Sequence, residues 1–336
     1  MGSQFVDFNA DGHIDYITAT FDGSPHVAYG SKDGFTAPVR LKDTQGRRLL
    51  ISSIWNYEAR KHEQVGHAMP DGTPKRLRCI SALAFDWDAD GDYDLLLGSY
   101  EEGRLYRQMN EGTNQEPKFS GKNIPVMAGG KEWAMPAKMT APQLIDWDGD
   151  GDLDIVVGTF GDTFNMQGKT GGIYLARNNG KNGAPSFAAF ETLIAPQPRS
   201  GDELKRPDSG LYPHACDYDG DGDLDLLVGG YSLWMPVARE LSEDEQAEAT
   251  RLKAQQKDAQ KRYSEVMRAY TTELSAKTKG MQRGSDEWLA VQKKVYAGHK
   301  EPMGAMRMEM MKVQQQLAKL IPSQQRKAYV WLFERE

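Results

Sequence analysis

Four nine-residue segments place carboxylates at alternate positions: Asp7-Phe-Asn-Ala-Asp-Gly-His-Ile-Asp15, Asp86-Trp-Asp-Ala-Asp-Gly-Asp-Tyr-Asp94, Asp146-Trp-Asp-Gly-Asp-Gly-Asp-Leu-Asp154 and Asp217-Tyr-Asp-Gly-Asp-Gly-Asp-Leu-Asp225. Oxygens spaced this way in a tight loop can converge on one point. A hard cation such as Ca²⁺ takes six to eight oxygens at about 2.3–2.6 Å. Counted from the first Asp, positions 1, 3, 5 and 9 offer side-chain oxygens and position 7 a backbone carbonyl. The expected ligands are Asp7, Asn9, Asp11 and Asp15; Asp86, Asp88, Asp90 and Asp94; Asp146, Asp148, Asp150 and Asp154; and Asp217, Asp219, Asp221 and Asp225. His13, Asp92, Asp152 and Asp223 are expected to add their carbonyls. Glycine at position 6 (Gly12, Gly91, Gly151, Gly222) permits the positive φ that folds the loop. About four calcium ions are expected, the first loop binding most weakly because it carries fewer carboxylates.

Charge bookkeeping agrees with a cation requirement. The loops hold eighteen aspartates, and leaving them out takes the net charge from −7 to +11. The acidity is therefore local, and like charges crowded in an empty loop repel one another. An EF-hand starts similarly but needs a Glu at position 12 and flanking helices. Position 12 here is Thr18, Leu97, Val157 or Val228, inside an apolar run. Solvated Asp-Gly turns are the plain alternative. Four copies in one register, each with an aromatic at position 2 (Phe8, Trp87, Trp147, Tyr218), argue against it. Those aromatics are expected in the core.

The loops need elements to hold them. Their starts lie 79, 60 and 71 residues apart, and repeats of this length suggest one supersecondary unit each. Apolar runs such as Ser81-Ala-Leu-Ala-Phe85 precede them, and Leu95-Leu-Leu, Ile155-Val-Val and Leu226-Leu-Val follow. Short apolar runs bounded by turn residues read as buried strands. Arg104–Asn110 and Gly172–Asn178 read as third strands. Pro117-Lys-Phe119 and Pro185-Ser-Phe187, after an Asn/Gly turn, are expected to open fourth strands.

These segments resemble the FG-GAP or VCBS repeats of integrin α-subunit propellers and of many secreted bacterial proteins. The resemblance covers roughly residues 4–232 and the C-terminal strand. It implies a mainly β protein, a β-propeller with four FG-GAP/VCBS-type blades visible and Ca²⁺ between the first two strands of each. Propeller sequence is expected over 4–236, with a returning strand at 326–336.

Between them, 240–322, composition turns to Lys, Glu, Gln, Ala and Met, as expected of a helical hairpin inserted in the fourth blade. Ser242-Glu-Asp-Glu245 forms a capping-box pattern. Leu252, Ala259 and Val266 recur every seven residues, and Met303, Met306, Met310, Val313, Leu317 and Leu320 alternate three- and four-residue steps, a coiled-coil seam. A break is expected near Gly280–Gly284, and Pro302 is expected to break or kink the second arm. The hairpin's Met-rich stripe reads first as its own core and second as a surface for self-association.

Catalytic signals are weak. The six histidines form no zinc motif, and no nucleophile elbow or phosphate loop occurs. Trp55, Tyr57, Trp133, Tyr212 and His214 are candidates for a ligand face at one mouth of the propeller. His214, His67 and Arg60 are isolated candidates for a carbohydrate-active enzyme, because some polysaccharide lyases and sugar dehydratases resemble this repeat family. A non-catalytic module binding a protein or glycan, as in adhesion, is the favoured expectation. Basic runs such as Lys293-Lys294 are broken by acids, which argues against nucleic acid. No run of about 18 apolar residues suggests a transmembrane segment. Met1-Gly2-Ser3 reads as a cloning remnant with no visible secretory signal. A secreted, periplasmic or cell-surface location is expected from the metal, since extracellular modules bind Ca²⁺ at about 10⁻⁴–10⁻³ M. Cys79 and Cys216 are expected to be unpaired.

Overall fold

The computed structural model describes residues 2–52, 54–56, 61–63, 78–161, 169–181, 183–197, 207–234, 238–281, 285–323 and 325–335, with the backbone alone at 54–56, 61–63, 139, 140 and 234. The chain is mainly β and divides into two compact units, one holding the sheets and the other two long helices.

Antiparallel sheets follow one another in chain order. The first pairs Ser3–Val6, Asp15–Ala19, Pro25–Ala28 and Val39–Arg40 successively. The second uses Cys79–Phe85, Asp94–Ser99, Leu105–Gln108 and Ile124–Pro125; the third uses Lys138–Ile145, Asp154–Phe160, Ile173–Ala176 and Glu191–Ile194. In the fourth, Ser209–Cys216 and Asp225–Trp234 are joined by Gln325–Phe333, the strand that returns after the helices. Every acidic segment is the turn between the first two strands of its sheet. The fourth strands begin later than Pro117 and Pro185 suggest. Phe119 and Phe187 make only isolated bridges, Phe119 to Asn110 and Asp43 and Phe187 to Asn178 and Ala128, and each buried Asn carboxamide gathers the turn's amides, those of Gly112 and Lys118 or of Gly180 and Ser186.

In the second and third sheets the second strands are apolar at consecutive positions because both of their faces are covered. Leu95 and Leu97 enter a core shared with Phe8, Ile17 and Val27 of the first sheet. Leu96 enters another shared with Ile155, Val157 and Tyr174 of the third. Val156 then joins Leu211, Leu226 and Val228 of the fourth. Side chains alternate between faces with a period of two, so successive residues serve successive cores. Each fully buried Leu or Val contributes about 1.5–3 kcal/mol. At Gly158 the third and fourth sheets approach so closely that a Cβ would strike the Leu211 carbonyl.

The position-2 aromatics follow the same order. Phe8, Trp87 and Trp147 are buried, each in the core shared with the next sheet. Tyr218, whose sheet is the last in the series, is 60 % exposed. Burial of all four was expected, and the fourth departs because no sheet among the described residues covers it.

In the other unit, helices α1 (Glu243–Lys277) and α2 (Asp286–Leu320) run antiparallel, joined by the Gln256–Gln314 hydrogen bond and the Arg262–Glu309 and Glu273–His299 pairs. Ser242 and Glu245 form the capping box, and Ser285 caps α2. Ala249, Leu252, Val313 and Leu317 make a shared core; Met303 is buried, whereas Met308 and Met311 are each 55 % exposed. Contrary to expectation, α2 continues through Pro302. Buried Val295 and Met303 on either side keep the helix packed where proline removes one backbone bond. Both cysteines are free, and burial pushes the Cys79 thiol up.

Candidate metal centres

One carboxylate anchors each loop. The position-9 aspartates, Asp15, Asp94, Asp154 and Asp225, are at most 1 % exposed. One oxygen accepts from the position-2 amide (Phe8, Trp87, Trp147 or Tyr218) at 2.9–3.0 Å. The other accepts an amide at the end of the third strand: Gly30 at 2.7 Å, Asn110 at 2.6 Å, Asn178 at 2.6 Å or Arg335 at 2.9 Å. Position 9 was read from sequence as a metal ligand. Its main geometric role is a clamp tying the loop to the third strand, which for Asp225 lies beyond both helices. Nothing in the sequence separates this role from ligation, since Asp is equally constant at positions 1 and 5.

The rest of the loop is folded by its own aspartates. Position-1 oxygens accept from the position-6 amide, as Asp86 does from Gly91 and Asp146 from Gly151. Position-5 oxygens accept from position 7, as Asp90 does from Asp92. All four position-6 glycines have positive φ, between 88° and 98°. Position 4 is left-handed too, with Gly149 and Gly220 in the later loops but Ala10 (φ 55°) and Ala89 (φ 59°) in the earlier ones. This backbone disfavours residues with a Cβ.

Three of the four loops bring carboxylate oxygens together. Asp86, Asp88 and Asp90 converge, as do Asp146, Asp148 and Asp154, and Asp217, Asp219 and Asp225, each set within 4.8 Å. Buried oxygens of Asp86, Asp92 and Asp223 have no hydrogen-bond partner. An unpartnered buried carboxylate oxygen is costly, and a divalent cation would satisfy it. Position 7, expected to act through its carbonyl, thus also offers a side chain in the second and fourth loops. Burial, reinforced by Asp90, Asp88 and Asp86, raises the Asp92 carboxyl to about 6. Burial likewise raises Asp94 to about 6, against the opposing amide bonds from Asn110 and Trp87. Asp154 and Asp223 are raised for the same first reason. In the third loop Arg177 already pairs with Asp148 at 2.6 Å, so a cation there shares that ligand.

The first loop differs. No trio of acids converges among its residues. The Asn9 amide donates to Asp11 at 2.9 Å, and Asp7 accepts from the amides of Asp11 and Gly12. The Asn9 bond, followed by the His13 amide, lowers the Asp11 carboxyl. His13 is exposed. The expectation of about four ions therefore reduces to three carboxylate clusters among the described residues.

The expected ligand face does not assemble as a whole. Trp133 is 1 % exposed, its ring edge-on to Phe190 in the core between the second and third sheets, so it presents nothing to a ligand. Tyr212 and His214 line a cavity of about 500 Å³ beside Ser3, Gln4 and Gln143. Gln143 Nε2 lies 3.3 Å from His214 Nδ1, and its carbonyl accepts from the Ala215 amide. Tyr57, Arg60 and His67, and the side chain of Trp55, lie outside the described residues.

Residues 86–157 and 146–228 match the family of the FG-GAP-like repeat. The two matches overlap and run from the second acidic loop through the fourth. Residues 86–228 thus carry FG-GAP-like repeats, and the turns and clamps of the second and third sheets are their physical form. No curated protein matches the chain. No described helix is long and apolar enough to cross a membrane.

Proposed function

We propose that this chain is a calcium-stabilised segment of a β-propeller that works outside the cytosol as a protein- or glycan-binding module of the adhesion type. Each repeat supplies one blade, and Ca²⁺ is held by the second, third and fourth loops. The supporting observation is the serial packing of the sheets through alternate faces, combined with converging aspartate oxygens at the same turn of three successive repeats. Asp86, Asp88, Asp90 and Asp92 would hold the ion in the second loop, Asp146, Asp148 and Asp154 in the third, and Asp217, Asp219, Asp223 and Asp225 in the fourth. Ca²⁺ there cancels the mutual repulsion of the carboxylates and fixes the turn. The binding role follows from a rigid scaffold that leaves its connecting loops free to carry recognition.

Catalysis has less support. His214 and Tyr212 are the titratable groups described in the cavity beside Gln143, and no described carboxylate lines it. A lyase needs a base and a charge stabiliser converging on substrate. A metal count on the purified chain, with thermal unfolding in EDTA and in added Ca²⁺, tests the proposal. About three ions and a large EDTA-sensitive shift support it; no bound metal and no shift would overturn it.

A further inference from the structure

A second repeated position lies fourteen residues after each loop's first aspartate, where the second strand ends: Phe21, Tyr100, Phe160 and Tyr231. These four aromatics form a continuous row across all four sheets. Ring centroids are 5.8 Å apart from Phe21 to Tyr100, 6.4 Å from Tyr100 to Phe160 and 5.9 Å from Phe160 to Tyr231. Gly210, at φ 63°, faces the Tyr231 and Phe160 rings where a side chain would crowd both. The row runs from surface to core: Phe21 is 56 % exposed, Tyr100 and Phe160 are half-buried, and Tyr231 is buried.

Positive charge accompanies the row. The Arg78 guanidinium, paired with Glu101 at 2.7 Å, lies 4.9 Å from the Tyr100 ring centroid and 5.5 Å from that of Phe21, and Arg326 stacks 3.6 Å over Tyr231. Tyr100 and Phe160 open into a cavity of about 540 Å³ whose rim carries Lys138 and Lys169. Both lysines are exposed, neither has an acidic partner among the described residues, and no described carboxylate lines the cavity.

The accessible rings of Phe21, Tyr100 and Phe160 and the two rim lysines select a particular ligand chemistry. One face of a pyranose ring presents C–H bonds of slight positive charge, which suit the negative face of an aromatic ring. Lysine ammonium groups suit carboxylates or sulfates carried on such rings. We propose that this aromatic row and its lysine-rimmed cavity bind an acidic oligosaccharide, such as a chain of uronic acids, with several sugar rings lying along successive repeats. This deepens the module reading above and rests on it for the scaffold, while its residues lie apart from the acidic loops. An acidic peptide has equal charge but lacks the repeating C–H face, and it serves as the competing probe.

The test titrates the whole chain, in excess calcium, with an oligogalacturonate, a neutral oligosaccharide of the same length and a poly-glutamate peptide. Saturable binding of the oligogalacturonate alone is expected. Lys138→Glu with Lys169→Glu should weaken it at least about tenfold with an unchanged melting temperature, and Phe21→Ala should weaken it less. Tyr100→Phe should retain it, whereas Tyr100→Ala should not. Equal binding of the neutral sugar, preference for the peptide, or indifference to the lysine pair would overturn the proposal. So would failure to bind in a protein that still melts in a calcium-dependent way. Oligogalacturonate binding without any calcium-dependent melting would sink the calcium reading and leave the row standing.

Discussion

The first and second acidic loops share a length, a register and a clamp, yet they solve opposite electrostatic problems. In the first, Asn9 donates to Asp11, the Asp7 oxygens take backbone amides, and the Asp11 carboxyl falls below its usual range. In the second, every polar alternate position is an aspartate, two carboxyl groups rise to about 6, and buried oxygens of Asp86 and Asp92 lack partners. One loop is complete with its own hydrogen bonds; the other is complete only with a cation. Two replacements separate the loops, Asn9 for Asp88 and His13 for Asp92, and the amide turns an acceptor into a donor at the point where charges meet.

The largest expected effect breaks the comparison by removing metal. At one hundred times its dissociation constant, an ion stabilises by about 2.7 kcal/mol per site. EDTA should therefore lower the melting temperature strongly, and atomic absorption should count about three ions per chain. Four would restore the first loop to the metal-binding class.

The clamp is common to both loops, so its removal should not discriminate. Asp94→Ala and Asp15→Ala each strand two backbone amides, and both should cost about 2–4 kcal/mol in chemical denaturation. A much larger loss at Asp94 than at Asp15 in the presence of EDTA would show that the two clamps are unequal. Asn9→Asp should then convert the first loop. It is expected to raise the metal count by about one and, at ten times the dissociation constant, to add about 1.4 kcal/mol in calcium, while destabilising the chain in EDTA.

Smaller effects follow from protons and strain. Asp92 and Asp94 hold protons more tightly folded than unfolded between about pH 4 and 6. Stability of the metal-free chain should therefore fall as the pH rises through that window, and melting curves in EDTA should move down from pH 5 to pH 7. Saturating calcium should reverse the slope, since protons and metal compete for the same oxygens. Ala89→Gly relieves the left-handed position 4 and should stabilise by about 0.5–1 kcal/mol, visible as a small rise in melting temperature; Ala10→Gly should match it if the two loops share one backbone.

The aspartate spacing, the position-6 glycines, the apolar runs after each loop and the capping box at Ser242 were legible because each depends on residues close in sequence. So was the return of a strand near 326, from its likeness to earlier third strands. Local pattern misjudged Trp133, an aromatic near a loop that tertiary packing places in the core between two sheets. A break at Pro302 was one of its expectations, and α2 runs through that residue.

What the sequence determined by itself was the chemistry available at each turn: which positions carry oxygen, and which permit left-handed backbone. The tertiary structure decided where those groups go. Leu95 and Leu96 are identical residues serving different cores, because neighbouring sheets cover both faces of their strand. Asp225 became a clamp because an amide 110 residues away reaches it. The aromatic row exists only because four positions with no local relation are stacked side by side. Contacts of that range are settled by which surfaces bury one another, and no short window of sequence contains both partners.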